Sequence, residues 1–340
     1  MSTRARIGLD ITPSRITAVR IIDAAKPTIA NATVVVRDHH DEPFNDLDAR
    51  RIASAMVRSG CDGGEIVVSA PVAHTLCAAL ELPKGVGLDD ATRIAKMELA
   101  RGSRLSPDSI ECGWWEVPAP VRASDTRHVL AIGLAHSQSE GMIQTLERAG
   151  IQIAGIDTRP CAIARGLRAV ASGGALVADI GDEHTLLFMT FEGAVLYSRV
   201  LSDVSLQSLY RKMRERCGLD ERACDLILGD HAHTVMNAPG VRACVTGMYE
   251  ALCAEVSRSF AYATHRYPAV DLKSLVLTGR GAGLPGLRNR LSDLGVRCVA
   301  PCVAEMGSLT AATFDLATRT DLTCAIGLAS ARFERMRGAA

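Results

Sequence analysis

Apolar residues along this chain come in short blocks separated by polar turns, and one pattern of blocks occurs twice. Leu176-Val177-Ala178 runs onto Asp179, Ile180-Gly181 and the polar Asp182-Glu183-His184-Thr185 follow, and Leu186-Leu187-Phe188-Met189 resumes. Two apolar blocks around a carboxylate and a glycine turn predict a β-hairpin. Near the N-terminus Ile7-Gly8-Leu9-Asp10-Ile11-Thr12 turns at Pro13-Ser14-Arg15 and resumes as Ile16 to Ile22.

Between the two hairpins the periodicity alternates between strand and helix. Thr33 to Val36 reads as a strand, Leu47 to Val57 as an amphipathic helix closed by Ser59-Gly60, and Glu65 to Ser69 as a strand that stops before Pro71. From Val72 to Gly150 the pattern is strand (Leu76 to Leu82), helix (Leu88 to Leu99), strand (Cys112 to Val117), strand (Val129 to Leu134) and helix (Glu140 to Ala149). That is the content of an inserted subdomain. Ile151 to Asp157 returns as a strand and Pro160 to Val170 as a helix. After the second hairpin, helices are predicted over Ser205 to Arg216, within Leu219 to Gly240, and over Cys244 to Tyr267. In the last of these, Val245, Met248, Leu252, Val256 and Phe260 form one stripe until Pro268 stops the helix. The strand Ser274 to Thr278, a glycine-rich turn, a helix Leu287 to Leu294, a strand Val296 to Val299 and a helix Leu322 to Phe333 complete the chain.

Composition narrows the classes. At 340 residues, with 48% hydrophobic and 22% charged, the chain is globular and long enough for two domains or one bilobal body. Thirty-eight basic residues balance 38 acidic ones, so no broad nucleic-acid footprint is expected. No apolar run reaches the roughly 18 residues of a membrane helix, and no signal-peptide core follows Met1, which predicts a cytosolic protein without direct membrane insertion. Its 11 cysteines are scattered through apolar segments and predict reduced thiols.

Several local motifs carry little. His39-His40 with Asp38 and Asp41, and His231-Ala232-His233, lack a third ligand at metal-site spacing and read as solvated loops, so no structural metal is expected. Gly281, Gly283 and Gly286 spell G-x-G-x-x-G after a strand, but Pro285 lies inside the motif and too little chain follows for a dinucleotide fold. Neither Ser69 nor Ser198 sits in a nucleophile elbow.

The two Asp-bearing hairpins and the late glycine turn together resemble the actin-like ATPase superfamily. Ile7 to Ile11 looks like its first phosphate motif, Asp179-Ile180-Gly181 like its second, Leu277 to Leu287 like its adenosine motif, and Asp157 to Arg165 like its first connecting helix. Within that superfamily several fragments in order are similar to the PilM pattern of type IV pilus assembly proteins, which are related to FtsA. They are Leu80-Glu81-Leu82-Pro83, the aromatic strand around Trp114-Trp115, Ala149-Gly150-Ile151, Leu284-Pro285-Gly286-Leu287 and Ala325-Ile326-Gly327-Leu328-Ala329.

The resemblance implies an α/β, actin-like (ribonuclease H-like, duplicated) two-lobed fold. Residues 1–71 and 151–172 would form the first lobe, 72–150 the inserted subdomain and 173–340 the second lobe. It implies a nucleotide site of Asp10, Thr12, Asp179, Gly181, Gly279 and Gly281, with Asp10 and Asp179 holding magnesium when ATP binds. It also implies a cytoplasmic adaptor, peripheral to the inner membrane, that binds the N-terminal cytoplasmic tail of a PilN-like partner, with Leu76 and Leu82 as candidate contacts. Self-association is common among actin-like folds.

Five departures from the family pattern cluster on the nucleotide. Thr12 replaces a glycine and Pro13 stiffens the first turn; Arg159 stands where a glutamate is usual and cannot accept a proton from water. A glycine pair is missing at Leu201-Ser202-Asp203, a lysine is lost at Ala223-Cys224-Asp225, and Arg280 sits between Gly279 and Gly281. The sequence therefore predicts an adaptor without ATP hydrolysis. The rivals are an active actin-fold ATPase, a type II secretion platform component and an actin-fold small-molecule kinase.

Overall fold

Each hairpin folds into the middle of its own sheet. In this computed structural model the described residues are 5–22, 28–38, 42–119, 126–171, 173–229, 238–310 and 319–331; His39, His40, His231 and His233 fall outside them. Strands β1 (Arg6–Ile11), β2 (Arg15–Ile21), β3 (Thr28–Val36), β4 (Glu65–Ser69) and β8 (Ile153–Asp157) make the first sheet, in the order β3-β2-β1-β4-β8. The short β14 (Ser308–Leu309) adds to β3 at its edge. Strands β9 (Gly174–Ile180), β10 (Thr185–Phe191), β11 (Ala194–Leu201), β12 (Leu272–Thr278) and β13 (Arg297–Val299) make the second, in the order β11-β10-β9-β12-β13.

The two sheets have the same topology. In both, three antiparallel strands are followed by two parallel ones, so β1 and β9 occupy equivalent central positions. This is the duplicated two-lobed α/β framework expected from the sequence. Asp10 and Asp179 are each the penultimate residue of their central strand, so equivalence of fold makes them equivalent in space. Strand β11 had no separate prediction, yet it completes the second sheet through a turn with Glu192 at φ 51° and Gly193 at φ 81°.

A third sheet lies between β4 and β8 in sequence. It consists of β5 (Thr75–Pro83), β7 (Thr126–Ala135) and β6 (Ile110–Glu116), with β7 central. Helix α2 (Leu88–Ser103) covers one face, packing Ala91, Ala95 and Leu99 with Leu82, Val129, Ala131 and Ile110. On the other face Leu130, Ile132 and Trp115 join the core between the lobes, and the Trp115 indole Nε1 donates to the Val195 carbonyl at 2.7 Å.

The helices around the main sheets are α1 (Asp46–Ser59), α3 (His136–Arg148), α4 (Arg159–Gly166), α5 (Leu206–Cys217), α6 (Glu221–Leu228), α7 (Pro239–Arg266), α8 (Leu287–Ser292), α9 (Val303–Met306) and α10 (Thr323–Ala329). Helix α4 ends at Gly166, four residues before the predicted Val170, and α7 begins at Pro239, before the predicted Cys244. Proline at the first helical position suits an N-terminus, because its missing N–H would be unbonded there anyway. Helices α4 and α10 pack against one another, α10 over β1 and α4 over β10 and β11. That small-residue pair, with Ala162, Ala164, Ala325 and Ala329 buried, joins the lobes and sets the N-terminus of α4 between the ends of β1 and β9.

Candidate functional site

The cleft between the two sheets encloses about 510 Å³ and is lined by both hairpin turns, Ser69 to His74, the start of α3, and Arg159, Gly279 and Arg280. Strand geometry delivers Asp10 and Asp179 to its floor, both nearly fully buried. Between them stands Arg159, the first residue of α4, itself only 8% exposed. Its Nη1 donates to both Asp10 oxygens at 2.6 Å, and its Nε donates to Asp179 Oδ2 at 2.6 Å. Thr278 Oγ1 completes the set by donating to Asp179 Oδ1 at 3.0 Å.

A buried guanidinium is tolerable only when its charge is matched and its donors are used. Burial works against the charged form of Arg159, but Asp10 and Asp179 outweigh it and hold its pKa well above the ordinary value. The same low dielectric pushes the neighbouring Cys324 thiol well up, Asp10 adding to the effect, so Cys324 stays protonated. Burial, then Arg159, lowers the pKa of His184, which leaves that imidazole neutral at pH 7.

A second arginine holds the glycine-rich turn that follows β12. Arg280 pairs with Asp182, and its Nη2 donates to Asp225 at 2.7 Å. Tyr210 of α5 donates to the same Asp225 carboxylate, and the Ser14 hydroxyl of the first hairpin reaches across to Asp182. The pKa of Arg280 is raised: burial opposes the charge, while Asp182 and then Tyr210 and Asp225 favour it. Arg15, next to this cluster, has its pKa lowered by burial and then by Arg280.

Of the sequence-predicted residues, Asp10, Thr12, Asp179, Gly181 and Gly279 all line the cleft, and Gly281 follows in the same turn. Thr12 turns on itself: its amide and hydroxyl both donate to the Arg15 carbonyl, and the Arg15 amide donates back to its Oγ1. Pro13 has no N–H, so the first turn has few amides left for a phosphate. The Gly181 amide donates to the His184 carbonyl at 3.0 Å. A Cβ on Gly279 would lie 2.6 Å from the Ile180 carbonyl oxygen, and one on Gly281 would lie 2.2 Å from Ile180 Cγ2. Those two glycines let the turn press onto the end of β9. Leu82 is fully buried under α2, and Leu76 points to the same half-buried face, so both belong to the subdomain core. The open side of β5 carries Cys77, Ala79 and Glu81 instead.

As arranged, the residues do not fit a magnesium nucleotide. Both carboxylates that would hold the cation are within hydrogen-bond distance of a guanidinium nitrogen, and two like-charged carboxylates beside an arginine leave no surplus positive charge for phosphate. Ser14, Asp182 and Tyr210 were not singled out from sequence. Their one visible signal was that Arg280 and Asp225 both depart from the pattern, with opposite charges.

No protein-family model matches the sequence, and no curated protein matches it. Among solved structures, the chain is similar to one described as the PilM-PilN type IV pilus biogenesis complex, with TM-score 0.80 and 19% identity over 95% of this chain and 97% of that one. It is also similar to the ethanolamine utilization protein EutJ from Carboxydothermus hydrogenoformans, with TM-score 0.57 and 13% identity over 96% of this chain and 89% of that one. At these identities the likeness speaks for the fold, which is the actin-like two-lobed one with its inserted subdomain.

Proposed function

We propose that the chain is a PilM-like adaptor of a type IV pilus inner-membrane platform, which docks the cytoplasmic tail of a PilN-like membrane protein and does not hydrolyse ATP. The observation that carries this reading is the near full-length similarity to a chain of a structure described as a PilM-PilN type IV pilus biogenesis complex. No helix among the described residues is long and apolar enough to cross a membrane, which suits a protein held at the membrane by its partner.

Strand β5 supports the docking mode. Among the described residues it pairs with β7 on one side and with no strand on the other, and its outward residues Cys77 and Ala79 are small. An extended tail can add its backbone hydrogen bonds to such an edge. We expect a peptide of the partner's cytoplasmic N-terminus to be retained by the wild-type protein in a pull-down. Ala79→Arg should weaken it at least tenfold, while Leu226→Arg, on the exposed face of α6, should leave it unchanged. Failure to bind the tail of any PilN-like protein encoded beside this chain would overturn the reading.

The ATPase alternative has its own test. Calorimetry with Mg-ATP should give no binding heat, because Arg159 already occupies both carboxylates that would hold the cation. Micromolar binding abolished by Asp179→Ala would favour the ATPase.

A further inference from the structure

The floor of the cleft is held by the protein's own side chains, and two of their contacts, Arg159 with Asp179 and Ser14 with Asp182, cross from one lobe to the other. Asp10 belongs to the first sheet and Asp179 to the second. Arg159 is bonded to both, and it projects from the helix that, with α10, forms the packed connection between the sheets. A second crossing runs from Ser14 in the first hairpin to Asp182 in the second. Asp182 is in turn fixed by Arg280, and Arg280 by Asp225. The first hairpin is braced from behind, since Arg37 donates to the Pro13 carbonyl at 2.8 Å and pairs with the buried Asp48 at 2.8 Å. No link in this series needs a bound ligand.

We infer that Arg159 is an interlobe latch, a tethered cation that sets the angle between the two lobes by bridging Asp10 and Asp179, with Ser14–Asp182 as its second bolt. Electrostatics gives the latch its direction. Two buried carboxylates repel at short range, and a guanidinium between them converts repulsion into attraction on both sides. Planar and forked, it offers separate nitrogens to the two carboxylates, which a lysine ammonium at the end of a flexible stem does not. The consequence is a protein whose cleft has one setting whether or not nucleotide is present, so the relative position of the first lobe and its subdomain is constant for whatever docks there. The inference rests on the cleft geometry and stands whether or not a PilN-like tail is the partner.

The test is the distance between lobes. Spin labels on genetically encoded residues at Val57 in α1 and Leu226 in α6, both highly exposed, report it in the full chain by pulsed dipolar spectroscopy. The wild type is expected to give one narrow distance distribution, unchanged by Mg-ATP or by EDTA. Arg159→Lys keeps the charge and loses the fork, so it should broaden the distribution while the circular dichroism spectrum stays that of a folded protein. Arg159→Met should broaden or shift it by several ångströms if it folds. A wild-type distribution that moves when Mg-ATP is added overturns the latch, and so does a folded Arg159→Lys protein with the wild-type distribution. Neither outcome bears on tail binding, which is read by pull-down.

Discussion

Gly327→Ala should cost a large part of the protein's stability, more than any change at an exposed position. Helix α10 crosses α4 at Gly327 so closely that a Cβ there would lie 1.7 Å from the Ala162 carbonyl oxygen and 2.5 Å from its carbon. The obstacle is backbone, so no rotamer change relieves it; the helices must separate. Separation would strip contacts from the core shared by the lobes, where Ala162, Ala325 and Leu328 are fully buried. Overpacking typically costs about 1–3 kcal/mol when side chains can adjust; here the loss should reach or exceed the upper end. Gly8→Ala tests the other side of the same helix, since its Cβ would lie 1.9 Å from the Ala325 carbonyl oxygen. Gly247→Ala is the control: it is exposed on α7 with nothing near its Cβ, and alanine there should stabilise by about 0.5–1 kcal/mol. Urea unfolding midpoints decide the matter. A Gly327→Ala protein that unfolds at the wild-type midpoint would show that α4 and α10 do not need this approach.

That prediction depends on a contact between residues 165 positions apart, which marks the boundary of what could be read before the structure. The two hairpins, their carboxylates and the glycine turn were legible because short apolar blocks ending on Asp and Gly are local signals. The short β14 was not, since two residues have no period. Strand β11 was hidden for another reason: Val195, Tyr197 and Arg199 mix apolar and charged groups along an edge strand, and the pairing with β10 supplies what the pattern lacks. At β5 the sequence showed an apolar strand and offered Leu76 and Leu82 as candidate contacts. Leu76 and Leu82 are the more apolar set, and the helix that follows took them as core, leaving Cys77 and Ala79 outside.

The candidate site divides in the same way. Each departure from the family pattern was visible alone, and each was readable only as a loss: Arg159 as a missing acceptor, Arg280 as an obstruction, Asp225 as a neighbour of a missing lysine. The fold turns these losses into partners. Arg280 meets Asp225, 55 residues away, and Arg159 meets Asp10, 149 residues away. Complementary charge was present in the sequence, but which charges meet is decided by the equivalence of β1 and β9 and by the helix pair between the sheets.

The second large effect follows from that meeting. Arg159→Met should destabilise the protein by about 3–5 kcal/mol at pH 7, the usual cost of leaving buried charge without its partner. The size comes from Asp10 and Asp179 rather than from the lost hydrogen bonds, because both carboxylates stay buried after their counter-ion is gone. Neutralising them should therefore restore most of the loss, and the triple variant Asp10→Asn, Arg159→Met, Asp179→Asn is expected to be more stable than Arg159→Met alone. Urea midpoints of the three proteins at pH 7 test this. A triple variant weaker than Arg159→Met would mean that Arg159 contributes packing and hydrogen bonds, and that the charges of Asp10 and Asp179 are met by some other group.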